Sequence, residues 1–295
     1  MRGACRHNTF PLIYKAFKTY YDLKIKDHIN TRGNIPKIRV NMKIATWNVN
    51  SVRLRVPNIL KWIESQQPDV LLLQELKCLT EQFPVDDFKA AGYECAVFGQ
   101  KAWNGVAILS RHPITDVKTG LPGDETDEQS RYIEGTINGF RIASIYLPNG
   151  NPVDTEKYPY KLNFCDRLII RARELLATQQ PVVLGGDYNI IPEGRDCYDP
   201  AVWKNDALFM LPSRQKFRQL ANLGYTDAFR VFNQQDQQYS FWDYQAGAWP
   251  RNLGIRIDHL MCSPQAADRL EGCIIDSAPR GEEKASDHTP VMGSF

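Results

Sequence analysis

Seven polar residues spread along the chain are of types that act together on a phosphate: Asn48, Glu75, Asp187, Asn189, Asp258, Asp287 and His288. Asn48, Glu75, Asp187 and Asn189 follow short apolar runs, and Asp287-His288 introduces the last one. Any one of them alone suits a turn, where Asn and Asp are common. Together they match the way α/β enzymes collect a site in the crevice beyond the ends of a sheet. The set offers oxygen ligands and few histidines, which selects magnesium or manganese over zinc. Such a site suits phosphoester hydrolysis: the metal neutralises the phosphate, an Asp orients and deprotonates water, and a protonated His with Asn donors holds the developing charge.

Asp258 lies inside Ile255–Met261, a strand-like run in which an unpaired buried carboxylate is expensive. It therefore needs a partner. A histidine suits, because a carboxylate that accepts the imidazole N–H fixes the tautomer and favours the charged ring.

The elements that must position these groups alternate from Met42 onward. Strands are expected at Lys43–Trp47, Asp69–Leu73, Tyr93–Phe98, Gly105–Leu109, Arg131–Ile137 and Phe140–Leu147, with Asn138-Gly139 turning the last two into a hairpin. Pro181–Gly185, Ser240–Tyr244, Ile255–Met261, Cys273–Ile275 and Thr289–Met292 complete the set. Pro57 suits the first turn of a helix carrying Ile59, Leu60 and Ile63. A longer helix places Leu162, Cys165, Leu168, Ala172 and Leu175 on one face, and a third spans roughly 213–223. No linker-like stretch interrupts this, so residues 42–295 read as one mixed α/β domain.

The 295 residues are 43% apolar, and the longest wholly aliphatic run is Val70–Leu73, far short of a membrane span. Seven cysteines without a CxxC pair suit reduced thiols in a cytoplasmic setting, and argue against a zinc site. Residues 1–41 carry nine Lys/Arg and two Asp, a net of +7 within an overall +2, so the remainder is at −5. A general argument from basic charge to nucleic acid therefore fails for the body. The first 41 residues read as a basic extension, either a disordered tail or a start placed upstream of Met42. They lack the pattern of a secretory signal, and without Ser they make a poor transit peptide.

With these residues in view, the chain from Met42 to Phe295 resembles the exonuclease III family of AP endonucleases, within the DNase I-like superfamily. The resemblance is carried by Ile44–Arg53 (IATWNVNSVR), Leu72–Lys77 (LLQELK), Gly186–Ile190 (GDYNI), Arg256–His259 (RIDH) and Ser286–Pro290 (SDHTP). It implies an α/β (α+β) fold, a four-layered sandwich of two β-sheets flanked by helices. It further implies that Glu75 is the main metal ligand, aided by Asn48 and Asp287, with Asn50 nearby. Asp187 would activate water, Asn189 and His288 would contact the scissile phosphate, Asp258 would orient His288, and Tyr146 would offer its hydroxyl.

The substrate implied is double-stranded DNA with abasic sites or 3′ ends, cleaved with Mg²⁺ or Mn²⁺ by a monomer without a membrane partner. Phe241, Trp242, Ile255 and Ile257 match segments that form an apolar pocket for a base-free sugar, and Arg53 is grouped with them as substrate-binding. An abasic nucleotide costs little to turn out of the helix, so a small apolar pocket can select it. The rival expectations are a phosphodiesterase acting on RNA tails, sphingomyelin or inositol phosphates, and a catalytically dead DNA-binding module. A substrate panel separates the first, and turnover on an abasic duplex the second.

Overall fold

The structure, a computed structural model, describes residues 42–295. The basic segment 1–41 lies outside the described residues. Twelve strands are described: β1 (Lys43–Asn48), β2 (Val70–Gln74), β3 (Glu94–Phe98), β4 (Val106–Ser110), β5 (Thr115–Thr119), β6 (Tyr132–Ile137), β7 (Phe140–Tyr146), β8 (Val182–Asp187), β9 (Thr226–Asp227), β10 (Asp258–Cys262), β11 (Gly272–Ile275) and β12 (Val291–Ser294). They form two sheets, in the orders β11-β12-β1-β2-β4-β3 and β5-β6-β7-β8-β10-β9. The main helices are α1 (Val52–Gln66), α2 (Lys157–Ala177) and α3 (Leu211–Asn222).

The apolar strands explain the layering. In β1 and β2, Ile44, Val70 and Leu72 join the core between the sheets, while Ala45, Trp47, Leu71 and Leu73 join a second core with Ile59 and Ile63 of α1. In β8, Val183 joins the inter-sheet core, while Val182 and Leu184 pack with Leu168, Leu175 and Phe217 of α2 and α3. Strands covered on both faces read as continuous apolar runs, not as alternation. Each fully buried aliphatic side chain here contributes roughly 1.5–3 kcal/mol. The result is helix, sheet, sheet, helix, the expected four-layered sandwich.

One polar cluster interrupts the inter-sheet core. Gln74 donates to Thr46 Oγ1 (3.0 Å) and to Ser144 Oγ (2.9 Å), tying β1 and β2 to β7 just below the strand ends. All three residues are buried, and each side chain finds a partner, as burial of polar groups requires.

Several expected elements are placed differently. Helix α1 begins at Val52, so Pro57 lies inside it. The backbone N–H groups of Ser51 and Val52 bond the carbonyls of Glu75 and Leu76, which starts the helix earlier than its proline suggests. Around Ser240–Tyr244 only Phe241 makes isolated bridges, to Ile255 and His288, and β10 starts at Asp258 instead of Ile255. The final strand is shifted to Val291–Ser294. β5 carries no apolar signal in the sequence because it is an exposed edge strand.

Candidate active site

The polar residues meet at one end of both sheets. β1 and β2 run parallel with Asn48 beside Gln74, and β7 and β8 run parallel with Tyr146 beside Asp187. Asn48 joins the two sheets: its Nδ2 donates to Glu75 Oε1 (2.8 Å) and to Asp187 Oδ2 (3.0 Å), while its Oδ1 accepts the Asn50 N–H (3.0 Å). Glu75 follows β2 in a left-handed backbone conformation, φ 53°. Its other oxygen pairs with Lys77 Nζ at 2.9 Å. Burial works against the Glu75 charge, but Lys77, Asn48 and His288 outweigh it and hold the carboxyl below its ordinary range.

Asp187 closes β8, where Gly186 is required: a Cβ there would fall 2.0 Å from the Ile145 carbonyl oxygen of β7. The next turn grips the carboxylate. Asn189 N–H donates to Asp187 Oδ1 (2.8 Å), and its Nδ2 donates to Asp187 Oδ2 (3.1 Å) and to the Leu147 carbonyl (2.9 Å). Burial pushes the Asp187 carboxyl up and the Asp258 charge adds to this, against the opposing pull of His288. A buried, raised carboxylate is a better proton acceptor than one in water.

His288 stands between two carboxylates. Its Nδ1 is 2.9 Å from Asp258 Oδ2, and its Nε2 faces Asp187 Oδ2 at 3.8 Å. Burial disfavours the imidazolium, but Asp258 and Asp187 overcome this and push the ring up to about 10. Asp258 is buried, and is not a water-exposed edge residue. Ser240 Oγ donates to it at 2.6 Å and accepts the N–H groups of Ile257 and Asp258, each at 3.1 Å. The Phe241 ring packs edge-on against the His288 ring, centroids 4.8 Å apart.

Among the described residues, ligand atoms of Glu75, Asp187 and His288 lie within 4.8 Å of one another. The carboxylates are hard donors suited to a divalent cation, whereas a histidine held charged is a poor ligand. Asn48 turns its amide nitrogen, not its oxygen, toward these carboxylates. Asp287 stands aside from the group, its Oδ1 accepting Asn50 Nδ2 at 3.0 Å. Tyr146 ends β7 beside them. Burial raises its hydroxyl well above the ordinary range, and the charges of Glu75 and Asp187 raise it further, so it remains a donor. Beside Glu75 and Tyr146 opens a cleft of about 630 Å³, with Lys77, Arg131 and Lys157 on its walls.

The residues expected to read the sugar divide. Phe241 touches His288, and Ile257 and Ile255 are buried with Ile191 and Leu208. Trp242 is 3% exposed in a separate cluster with Tyr239 and Ala248, its Nε1 donating to Asn252. Trp242 and Ile255 are thus buried in two different clusters, and Phe241 is the one of the four in ring contact with His288. Arg53 is exposed on α1. Arg55, two residues further on, is the arginine drawn to the site's rim, where it bonds the Asn50 carbonyl and Tyr244 Oη (2.9 Å). Sequence reasoning passes over Arg55, and it takes in Ser240 and Tyr244 only as the ends of a segment, without a role for either. Lys77 has a signal, standing two residues after Glu75 in the same motif.

The sequence and the fold are shared with known proteins. Residues 45–288 match the model of the endonuclease/exonuclease/phosphatase family. The chain belongs to that family. It is 31% identical over 266 residues to exodeoxyribonuclease III of Haemophilus influenzae, covering 86% of this chain and all of that one. It is 30% identical to the DNA repair nuclease APEX1 of Danio rerio over 260 residues, covering 85% and 81%. Among solved structures, a 3′-5′ exonuclease from Neisseria meningitidis superposes with a TM-score of 0.84 at 39% identity, covering 86% of this chain and 99% of that one. An AP endonuclease from Archaeoglobus fulgidus gives 0.83 at 37% identity, with the same coverage. The chain is a hydrolytic nuclease of this family, as its motifs imply. Among the described residues no helix is long and apolar enough to cross a membrane.

Proposed function

We propose that this nuclease repairs DNA by hydrolysing the phosphodiester 5′ to an abasic site in duplex DNA, and that it also trims 3′ ends. The observation that carries the reading is the pairing of a charged His288 with a buried Asp187 across 3.8 Å, beside Glu75. An acceptor for water's proton and a donor for the phosphate then face one reaction centre. The names of relatives support DNA as the substrate: an AP endonuclease, a DNA repair nuclease, and a Neisseria 3′ phosphatase solved with product DNA hairpin.

In this reading Asp187, gripped by Asn189, orients a water and takes its proton. His288 donates through Nε2 to a phosphate oxygen, its Nδ1 being occupied by Asp258. Tyr146 adds its hydroxyl, and donors aimed at the developing charge are worth about 10²-fold or more each. Glu75 would hold Mg²⁺ or Mn²⁺, with Asp287 and a reoriented Asn48 completing the ligand set. A bound ion supplies charge neutralisation at the phosphate and at the leaving oxygen. Phe241 and Ile257 would face the base-free sugar, and Arg53 the DNA backbone.

One chain supplies every group in the site, which supports action as a monomer. Among the described residues the cysteines are free and largely buried, which supports a reducing, cytoplasmic setting. Residues 42–295 form the catalytic domain, and residues 1–41 add non-specific DNA affinity at most. The test is incubation of an abasic duplex and an intact blunt duplex with the protein, with Mg²⁺ or with a chelator. Metal-dependent incision at the abasic position supports the reading; intact DNA throughout, with turnover of another phosphodiester, overturns it.

A further inference from the structure

Lys161 is a charged side chain that the proposed chemistry does not use. It lies in the second turn of α2 with 0% exposure, and no carboxylate among the described residues forms an ion pair with it. Its Nζ instead donates to two main-chain carbonyls, Asn149 O at 2.9 Å and Asn189 O. Burying an ammonium on neutral partners is costly, so those partners hold it for a reason beyond packing. Burial lowers Lys161 to about 8, with Cys165, Asp187 and Asp206 resisting, so the ammonium form prevails at neutral pH.

The two carbonyls belong to loops that follow β7 and β8. The loops also touch each other directly, because Asn149 Nδ2 donates to Asn189 Oδ1 at 3.2 Å. Asn189 adopts φ 47°, a conformation that a free chain rarely holds, and from it both its N–H and its Nδ2 reach Asp187. On the far side Asn151 Nδ2 is anchored to Asp206 at 3.1 Å. Gly150 lies over the lysine stem so closely that a Cβ there would fall 2.6 Å from Lys161 Cδ.

We propose that Lys161 is a positioning residue for the hydrolysis: its ammonium ties the Asn149 and Asn189 loops together from behind, so that the Asn189 turn holds the Asp187 carboxylate in its reacting orientation. This rests on Asp187 being the group that activates water. Lys161 touches neither DNA nor the reacting atoms, so its loss acts on the chemical step and not on binding. A displacement of about 1 Å at a reacting group can cost of the order of 10²-fold.

The test compares Lys161→Met, Lys161→Gln and Asp187→Asn in the full chain, by steady-state kinetics on an abasic duplex and by thermal unfolding. Lys161→Met keeps the stem and removes the donors. The expected result is a kcat at least about tenfold lower with KM within about twofold. Lys161→Gln keeps one donor without the charge, so it should lower kcat in the same way but less. A folded Lys161→Met with kcat within about twofold, or a loss confined to KM, overturns the proposal. Should Lys161→Met not fold, Lys161→Gln decides: unchanged kcat overturns it, and lowered kcat at constant KM supports it. Asp187→Asn separates the two levels. If it turns over normally, the water-activating reading fails and this proposal with it; if it is dead while Lys161→Met is normal, only the lysine's role fails.

Discussion

His288 Nδ1 lies 2.9 Å from Asp258 Oδ2, and both residues are buried. A carboxylate only accepts hydrogen bonds, so Nδ1 carries the proton and Nε2 is left to face Asp187. The histidine and its carboxylate therefore act as one unit.

Asp258→Asn should reproduce the defect of His288→Ala, and the double variant should be no worse than the worse single one. The pH profile adds a sign. His288 is raised to about 10, so its charge is present below that value and is lost as pH rises through it. Without the Asp258 charge its pKa falls, and the alkaline limb of kcat/KM should move toward neutrality. Additive losses, or an unmoved limb, would contradict the pairing.

Glu75→Ala should cost at least about 10²-fold in turnover, the scale of losing a principal electrostatic stabiliser. Excess chelator should abolish activity of the parent chain, and added Mg²⁺ or Mn²⁺ should restore it. Calorimetric titration with Mn²⁺ should show weakened binding in the variant. Full activity of Glu75→Ala would remove it from the metal site.

Phe241 and Trp242 are neighbours with different expected phenotypes. Phe241 packs on His288, so Phe241→Ala should impair abasic-site cleavage more than 3′ trimming while metal binding persists. Trp242 is 3% exposed within its own cluster, so Trp242→Ala should cost roughly 3–5 kcal/mol of stability and act on all substrates alike. Urea unfolding beside a two-substrate assay distinguishes them; a Phe241→Ala loss equal on every substrate would deny it a role in selection.

A chain beginning at Met42 should keep full abasic-site turnover at saturating DNA. The segment upstream holds nine basic residues, and every phosphate that they neutralise in the full chain steepens the log–log salt dependence of binding by roughly 0.9. Binding of the shortened chain, measured across a salt series, should therefore show the same slope or a shallower one. A folded Met42 chain without turnover would place the tail in the active enzyme.

The strands that carry the site are legible because both faces of β1, β2 and β8 are covered and their runs are largely apolar, so the polar residue that ends each run stands out. Asn48, Glu75, Asp187 and His288 can be named from types and positions alone, and the five motifs tie them to a family. Pro57 misleads for a long-range reason: helix α1 starts on hydrogen bonds to Glu75 and Leu76, which lie far from it in the chain. Ser240–Tyr244 looks like a strand because its side chains are mostly aromatic, but its backbone bridges only at Phe241.

What the tertiary structure decided is which atoms face one another. Sequence can ask for a partner to Asp258, but only packing brings Ser240 Oγ and His288 Nδ1 to the same carboxylate. It cannot choose between Arg53 and Arg55, because the start of α1 sets which one points inward. Nor does it signal that Lys161, a residue type usually solvated on a helix, is wholly buried beneath the Asn189 turn. Residue types and periodicity determine which runs are buried and which chemistry is available. Hydrogen-bond partners depend on long-range approach of segments, and a one-dimensional pattern does not carry that information.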